Sequence, residues 1–356
     1  MATSIRILGA GPAGLAAAIN LARAGFPVEM FEKRHDCGAR FHGDLQGLEN
    51  WSRRTDVIDD LRRFNIEPSF DHQPFSTITQ SNGRETCTLV LDRPAFYLLR
   101  RGVLAGSLDQ SLKQQALSAG VRIHFRRREP PETVDIVATG VDSNGVAAIA
   151  KGIVFTTDAD DLAVGMFGDA LAPFGYAYLL VAGGIGCLGT VLFTRFVRAA
   201  SCFHAARTAL LDRFPVRVSR ESPFGGVGQF LMRPRFQEGG RLFVGEAAGL
   251  QDLLWGFGIR TAIESGALAA ESLIGGTDYR RLAEERFLHR HRASIVNRFL
   301  WEACRWRNYS LVMAVLPRFH VRMLYTLYNE SLPQRILYPL AAWYVRRRIQ
   351  RLTDTA

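Results

Sequence analysis

The sequence predicts an α/β fold that carries a β-rich insertion and ends in a helical region. A strand, a glycine turn, a helix and a second strand open the chain. Similar strand and helix patterns return near residues 95–145 and 240–280, and turn-rich β patterns lie between these segments. Strands that alternate with helices indicate a parallel sheet covered by helices. The β patterns therefore predict a second domain that is threaded through the first.

The opening turn has the glycine spacing of a dinucleotide-binding unit. In such a unit Gly9 makes the tight turn and Gly11 lets the backbone approach a pyrophosphate. Gly14 lets the helix pack closely on the strand, and the helix N-terminus offers its N–H groups to the phosphates. The turn reads Gly9-Ala10-Gly11-Pro12-Ala13-Gly14.

An acidic residue follows at the place that this unit requires. The second strand, residues 28–31, runs directly into Glu32. A carboxylate about 20 residues beyond the turn can accept both hydroxyls of an adenosine ribose. Glu at this position suits a ribose without a 2′-phosphate. The chain is therefore predicted to bind a dinucleotide.

Cysteine usage and charge limit the remaining function classes. The five cysteines are scattered and form no C-x-x-C or Cys/His cluster, so neither a structural metal nor a disulfide framework is indicated, and we expect a cytoplasmic protein. The net charge is +10, and residues 281–356 alone hold 14 Arg against 5 Asp or Glu. Amphipathic helices at an anionic membrane surface and helices with a solvated arginine face both fit this tail. Nucleic-acid binding is not expected, because the basic residues lie among apolar ones and match no known module.

A charge-free stretch from Ala170 to Thr194 could be mistaken for a membrane span. Glycines and Pro173 interrupt it, so we predict two strands, residues 176–181 and 190–196, around a glycine turn. The same stretch contains a second G-x-G-x-x-G, from Gly184 to Gly189. No helical pattern follows it, which argues against a second dinucleotide site.

Two further motifs accompany the opening unit. Residues 135–140, Asp-Ile-Val-Ala-Thr-Gly, form a strand that ends in a small-residue loop, and residues 245–249, Gly-Glu-Ala-Ala-Gly, precede Trp-Gly-Phe-Gly-Ile at residues 255–259. Together the three motifs resemble the FAD-binding signature of the family that contains geranylgeranyl reductases and aromatic-ring hydroxylases. The chain looks most like the geranylgeranyl reductase branch. The resemblance implies a Rossmann-like FAD-binding domain with an inserted β-rich substrate domain and a helical C-terminal region.

The layout and this resemblance together predict domain boundaries. We expect residues 1–65, 95–145 and 240–280 to form the discontinuous FAD-binding domain. The β-rich substrate domain would comprise residues 66–94 and 146–239. Residues 281–356 would form the basic helical C-terminal region.

The resemblance also implies the cofactor-binding residues. Glu246 stands where the family has an Asp that bonds the ribityl chain, and Gly256 and Gly258 would bring N–H groups to the pyrimidine end of the flavin. An arginine before the helix at residues 108–119 contacts the cofactor in the family, and Arg101 or Arg100 is its candidate here. The implied set is Gly9, Gly11, Pro12, Ala13, Gly14, Glu32, Lys33, Arg40, Arg101, Thr139, Gly140, Gly245, Glu246, Gly256, Phe257 and Gly258.

The substrate side carries three candidate catalytic residues. The segment at residues 172–178 resembles the reductase segment that lines the substrate cavity, which points to Tyr176 and Tyr178, although an aromatic core strand is an equal alternative. The family's Trp and Phe-Pro are replaced here by Tyr178 and by Leu179-Leu180. Cys37 resembles a cysteine near the flavin in several reductases, and a buried structural cysteine is the alternative.

These features predict an FAD-dependent oxidoreductase. The first hypothesis is a reductase that transfers hydride from reduced flavin to carbon–carbon double bonds of an apolar, isoprenoid-type substrate. The second is an FAD-dependent monooxygenase or oxidative tailoring enzyme that acts on an apolar small molecule. A non-redox isomerase or cyclase is a third class. Electrons would come from NAD(P)H or from a reductase partner. Flavin halogenases use a catalytic lysine, and Lys33, Lys113 and Lys151 lie in no such context.

Overall fold

A computed structural model describes residues 4–141, 146–305 and 308–353 of the chain. The strands are β1 (Ile5–Leu8), β2 (Val28–Glu32), β3 (Leu45–Glu49), β4 (His72–Phe75), β5 (Thr77–Ser81), β6 (Thr86–Val90), β7 (Phe96–Arg100), β8 (Arg122–Phe125), β9 (Ile136–Val137), β10 (Val146–Thr156), β11 (Leu162–Met166), β12 (Tyr176–Ala182), β13 (Ile185–Leu192), β14 (Ser219–Gln229), β15 (Gln237–Glu238) and β16 (Arg241–Phe243). The helices are α1 (Pro12–Arg23), α2 (Val57–Arg63), α3 (Leu108–Ser118), α4 (Ala199–Arg213), α5 (Ile259–Gly275), α6 (Tyr279–Cys304), α7 (Ser310–Val315), α8 (Val321–Leu327) and α9 (Leu332–Thr353).

A six-stranded sheet forms the nucleotide-binding half, in the order β15-β16-β9-β1-β2-β8. All neighbouring pairs are parallel except β15, which joins the edge antiparallel to β16. The helix α1 packs against α3 and α5. Parallel strands with helices on the sheet are the architecture that the alternating sequence pattern predicts.

Small residues let α1 lie very close to its neighbours. A Cβ at Gly14 would be 2.1 Å from the carbonyl oxygen of Gly9, which lies at the end of β1. A Cβ at Gly266, on α5, would be 2.0 Å from the carbonyl oxygen of Ala13. Both distances are far below van der Waals contact, so only glycine fits at these two crossings.

The second sheet has seven strands in the order β14-β10-β13-β12-β11-β5-β6. Its pairs are antiparallel except for β11 with β5. The turn at residues 81–83, Ser-Asn-Gly, lies in the hairpin of β5 and β6. A third sheet, β3-β7-β4, takes strands from both sides of the predicted domain boundaries near residues 65 and 95. The division into domains stays a prediction.

The charge-free stretch forms the hairpin of β12 and β13. Gly183 and Gly184 make its turn with positive φ angles of 56° and 78°. The second strand begins at Ile185, earlier than predicted, so Gly186 and Gly189 lie inside it rather than in a turn. A Cβ at Gly186 would be 2.2 Å from the ring of Phe155. Among the residues that the structure describes, none of the helices combines the length and the apolar character needed to cross a bilayer.

The C-terminal region consists of helices, as predicted, and some of its arginines are structural. Glu302 Oε1, on α6, accepts a hydrogen bond from Arg298 Nε at 2.6 Å. The same oxygen lies 3.1 Å from Nε of Arg348, on α9. The side chains of Arg298 and Glu302 are almost completely buried, and that of Arg348 is 11% exposed. A further hydrogen bond of 2.6 Å joins Arg348 Nη1 to the carbonyl oxygen of Phe193. These ion pairs fasten α9 to α6 and to the seven-stranded sheet.

Candidate active site

A cavity of about 1040 Å³ is lined by residues from both the parallel sheet and the seven-stranded sheet. This volume is at the upper end of the range for small-molecule sites, roughly 300–1,000 Å³. Most of the predicted cofactor residues line it, which brings together segments far apart in the sequence. The predicted residues on its wall are Gly9, Gly11, Pro12, Ala13, Glu32, Lys33, Arg40, Arg101, Thr139, Gly140, Glu246, Gly256, Phe257, Gly258, Tyr176 and Tyr178.

The glycine turn exposes the N-terminus of α1 to this cavity. Gly9 has a φ of 101°, a conformation that favours glycine. Gly11 is the N-cap of α1, and no side chain caps the helix. A Cβ at Gly11 would meet no protein atom within 4 Å, so this position borders open space. The uncapped N–H groups and the positive end of the helix dipole can therefore bind an anion here.

Two of the predicted residues act through packing instead of lining the cavity. Gly14 provides the close crossing with Gly9 described above. Gly245 has a φ of 62°, and a Cβ there would be 2.9 Å from the Cβ of Ala13. Its N–H donates to Ser265 Oγ at 2.8 Å. These two glycines thus hold α1, β16 and α5 together behind the cavity.

Glu32 is held beside the glycine turn by two backbone donors. Its Oε2 accepts from the Ala10 N–H at 3.0 Å, and its Oε1 accepts from the Arg34 N–H at 2.9 Å. Each carboxylate oxygen has a second lone pair, which is free to accept a ligand hydroxyl. The orientation of Glu32 is therefore set by the protein before any ligand arrives.

Arg101 lines the cavity but uses most of its donors within the protein. Its Nε and Nη2 donate to Asp109 at 2.9 and 2.8 Å, and its Nη1 donates to Gln46 at 2.8 Å. The guanidinium also lies 4.1 Å from the centre of the Phe41 ring. Burial opposes the charge, but the adjacent Asp109 carboxylate raises the pKa of Arg101 above its ordinary value. Arg101 therefore stays charged and anchors the loop at residues 101–109.

Glu246, which was predicted to take the place of the family's aspartate, lies near the cations Arg40 and Arg101. Its Oε2 is 3.9 Å from Arg40 Nη1, and the Gln229 N–H donates to its Oε1 at 3.4 Å. Burial raises the pKa of the Glu246 carboxyl, and the charge of Arg40 partly offsets this effect. Gly140 lies opposite, because a Cβ there would be 3.8 Å from both side chains. The Glu246 side chain thus extends from the turn after β16 towards the loop after β9, which contains Gly140.

The turn before α5 differs in one detail from the expectation. The Gly256 N–H donates to the Asp252 carbonyl at 3.0 Å, so it is already used inside the turn. Gly258 is the N-cap of α5, which also has no side-chain cap, and it lines the cavity. The donor that the turn offers to a ligand is therefore the N-terminus of α5 and not the Gly256 N–H. Phe257 fixes the turn by packing edge-on against Trp51, with ring centres 4.7 Å apart.

Tyr176 and Tyr178 lie on the face of β12 that borders the cavity. Their ring centres are 6.2 Å apart, as expected for alternate residues of a strand. The Tyr176 hydroxyl donates to the carbonyl oxygen of Trp255, next to the turn before α5. Burial raises the pKa of both phenols well above the ordinary value. Both hydroxyls are therefore protonated at neutral pH, and the proton of Tyr176 is used in its hydrogen bond to Trp255.

The structure does not bring Cys37 to the cavity. Its side chain is 1% exposed and packs in the core of the parallel-sheet domain. Burial, together with the carboxylate of Asp36, raises the pKa of the Cys37 thiol. A buried, protonated thiol is unreactive. Cys37 as a catalytic candidate stays a prediction, and the burial of its thiol favours the alternative of a structural cysteine.

One strand of the cavity wall, β14, was not predicted from the sequence to line the site. Residues 224–229 of β14 line the cavity, and they contain Gly225, Gly226 and Gly228. A Cβ at Gly226 would meet nothing within 4 Å. Glycines inside a strand pattern often mark the close approach of a ligand or of another backbone. The three glycines of β14 carry this signal in the sequence, but no motif identified the strand as part of the cavity wall.

Comparison with known proteins places this geometry among flavoenzymes. Residues 7–47 match a family model described as an NAD(P)-binding Rossmann-like domain. The digeranylgeranylglycerophospholipid reductase of Methanosarcina mazei is 25% identical, over 75% of this chain and 74% of that protein. A geranylgeranyl bacteriochlorophyll reductase-like structure from Thermoplasma acidophilum has a TM-score of 0.64 at 18% identity and covers 98% of each chain. A flavin-dependent brominase has a TM-score of 0.63 at 15% identity and covers 100% of both.

These findings confirm the predicted resemblance and the predicted α/β fold class with its Rossmann-like domain. The site fits FAD, because an uncapped helix N-terminus, an oriented carboxylate and a second helix N-terminus line one cavity. The comparisons also confirm the predicted enzyme class. The chain is similar to FAD-dependent oxidoreductases of the geranylgeranyl reductase-like type.

Proposed function

We propose that this protein reduces carbon–carbon double bonds of an apolar, isoprenoid-type lipid. One observation carries the proposal: the dinucleotide cradle and an apolar, aromatic wall belong to the same cavity. The relative from Methanosarcina mazei, which is named a reductase of a geranylgeranyl lipid, supports this substrate class. When bound, reduced FAD would supply the hydride for one alkene carbon.

The cofactor would be held from three sides. The N-terminus of α1, at Gly11, would bind the pyrophosphate, and Glu32 would accept the adenosine ribose hydroxyls. Glu246 would bond the ribityl chain. The N-terminus of α5, at Gly258, would face the pyrimidine end of the flavin, where a positive dipole end stabilises negative charge.

The substrate would lie against the seven-stranded sheet. Tyr176, Tyr178 and Leu180 project from one face of β12 into the cavity, and Phe224 of β14 also lines it. An isolated alkene is unactivated, so its alignment and the exclusion of water are essential. The apolar side chains would provide both. The proton for the second alkene carbon would come from solvent or from a site residue; Tyr178 is the candidate, since the Tyr176 hydroxyl already donates to the Trp255 carbonyl, and solvent would return the proton that Tyr178 gives up.

The electron donor would be external. The second G-x-G-x-x-G lies within a strand hairpin and lacks the helix that a dinucleotide needs. We propose that NAD(P)H binds transiently or that a reductase partner delivers the electrons.

A reaction of the halogenase type has less support than reduction. Of the three lysines, Lys113 pairs with Asp36 at 2.6 Å, and Lys151 is an exposed residue of β10. Lys33 lines the cavity, but it lies next to Glu32 on the nucleotide side. Oxygenation of an apolar small molecule uses the same cofactor cradle and is the alternative that the experiment must separate.

Anaerobic reduction of the flavin-loaded protein tests the proposal. The reduced protein is mixed with a geranylgeranyl lipid or with oxygen while the flavin absorbance is followed. Reoxidation by the lipid, together with a saturated product, is the expected result. If the lipid never reoxidises the flavin and oxygen produces a long-lived flavin intermediate, the function is oxygenation instead.

A further inference from the structure

Helix α9 presents an apolar face to solvent. Leu332, Ile336, Leu340 and Trp343 follow one another at intervals of three and four residues, so they share one side of the helix. Their side chains are 70%, 74%, 52% and 52% exposed, respectively. The other side, which includes the fully buried Val345, packs towards α6. Single apolar residues are common on protein surfaces, but a continuous apolar stripe calls for a partner.

Positive charge borders this stripe on both sides. The side chains of Arg335, Arg346 and Arg347 are exposed. The guanidinium of Arg347 lies over the ring of Trp343, 4.5 Å from its centre. The sequence of α9 contains no Asp or Glu. A surface that carries negative charge and admits apolar side chains is therefore complementary to it.

We propose that the α9 face, formed by the four apolar residues above and Arg335, Arg346 and Arg347, docks onto an anionic lipid bilayer. An apolar stripe with a tryptophan and flanking arginines is the arrangement of a helix that lies in the plane of a membrane interface. Each arginine near an anionic surface contributes about 1 kcal/mol. A second copy of this chain is a poorer partner, since two such faces would bring like charges together.

The neighbouring helices connect this face with the cavity. Leu316 and Leu324, which lie between α7 and the end of α8, line the cavity wall together with Tyr328. Leu311, at the start of α7, is 62% exposed. The chain therefore leads from the cavity wall at Tyr328 to the start of the α9 face at Leu332, and Gln334 of α9 donates to the Leu327 carbonyl at the end of α8. This proposal extends the proposed function by stating where a lipid substrate is met.

Vesicle flotation tests the docking without any isoprenoid. The purified full-length protein is mixed with vesicles of phosphatidylcholine alone or with equal parts of phosphatidylglycerol. We expect flotation with the anionic vesicles that decreases as salt is raised. The I336E/W343E variant should not float, and R346Q/R347Q should bind about fivefold more weakly for each arginine lost. Val197 is 97% exposed on the segment before α4, so V197E is the matched control and should float like the wild type.

Any one of three results would overturn the proposal. The first is a wild type that does not bind anionic vesicles, and the second is an I336E/W343E variant with unchanged melting temperature that floats normally. The third is a dimer, measured by light scattering, that I336E/W343E converts to monomer, which would assign the face to a second copy. Because the vesicles contain no isoprenoid, a protein that docks but does not reduce prenyl lipids would contradict the proposed function alone.

Discussion

Replacing Gly11 with valine should remove FAD binding and leave the fold intact. Gly11 has φ −87° and ψ 179°, an extended conformation that valine adopts readily. A Cβ there would meet no protein atom within 4 Å. The added side chain would therefore occupy the space in which the pyrophosphate approaches the N-terminus of α1. The effect falls on the ligand and not on the protein interior.

The expected magnitude follows from the contacts that would be lost. A hydrogen bond to a charged group contributes about 1.5–3 kcal/mol. Displacing the pyrophosphate from two N–H groups of the helix N-terminus should therefore cost about 3–6 kcal/mol, or a roughly 100- to 20,000-fold weaker affinity. Valine is a poorer N-cap than glycine by up to about 1 kcal/mol, so the melting temperature should fall by only about 1–2 °C in a chain of 356 residues.

The assay is a titration of apoprotein with FAD, followed by flavin absorbance, together with a thermal melt. Gly14→Ala is the contrasting variant, because its Cβ would lie 2.1 Å from the Gly9 carbonyl oxygen. We expect that variant to lose stability, by about 1–3 kcal/mol or more, since it overpacks backbone against backbone. A G11V protein that purifies yellow with normal flavin content would refute the assignment of this turn to the cofactor.

Three further predictions concern buried groups. Cys37→Ala should leave the rate of flavin reoxidation by substrate unchanged, because the thiol packs in the core; a large loss in stopped-flow measurements would return Cys37 to the site. Burial raises the pKa of Glu246 above its unfolded value, so the native state gains relative stability below the unfolded pKa and loses it as pH rises through the folded pKa. Glu246→Gln should therefore be more stable than the wild type at neutral pH, and the difference in urea unfolding should shrink towards pH 4; a difference that grows on acidification would contradict the sign. Glu264, whose side chain is 2% exposed, contacts Arg53, Arg286 and Arg290, so Glu264→Gln should destabilise the protein by about 3–5 kcal/mol. A change in unfolding free energy below about 1 kcal/mol in the same urea assay would show that the three arginines do not depend on the Glu264 charge.

The nucleotide half of the site could be predicted because its physics is local. The turn from Gly9 to Gly14 and the acid at Glu32 belong to one short unit, and each residue type has a steric or electrostatic reason at its position. The cap that Asp56 makes on α2, by accepting from the Ile58 N–H, is also local, although it was not predicted. These features depend on neighbours in sequence.

Other features of the site depend on distant contacts. Nothing near Cys37 in sequence indicates that its side chain packs in the core of the parallel-sheet domain. Arg101 is correctly placed on the cavity wall, but its partners Asp109 and Gln46 are seen only once β3, β7 and α3 come together. Long-range pairing of this kind leaves no periodic signal in a single sequence.

The two walls of the cavity obey different constraints. On the nucleotide side, glycines at backbone crossings, such as Gly14 and Gly266, leave no room for change without moving α1. On the β12 side, the cavity is shaped by side chains that can be exchanged. Tyr178 fits there because Gly189 has no side chain: a Cβ at Gly189 would lie 2.8 Å from the Tyr178 hydroxyl. The structures of a reductase-like protein and of a brominase match this fold about equally well, so the fold alone does not identify the reaction. The substrate must therefore be identified from the β12 face and from the helices that border it, and not from the motifs that bind FAD.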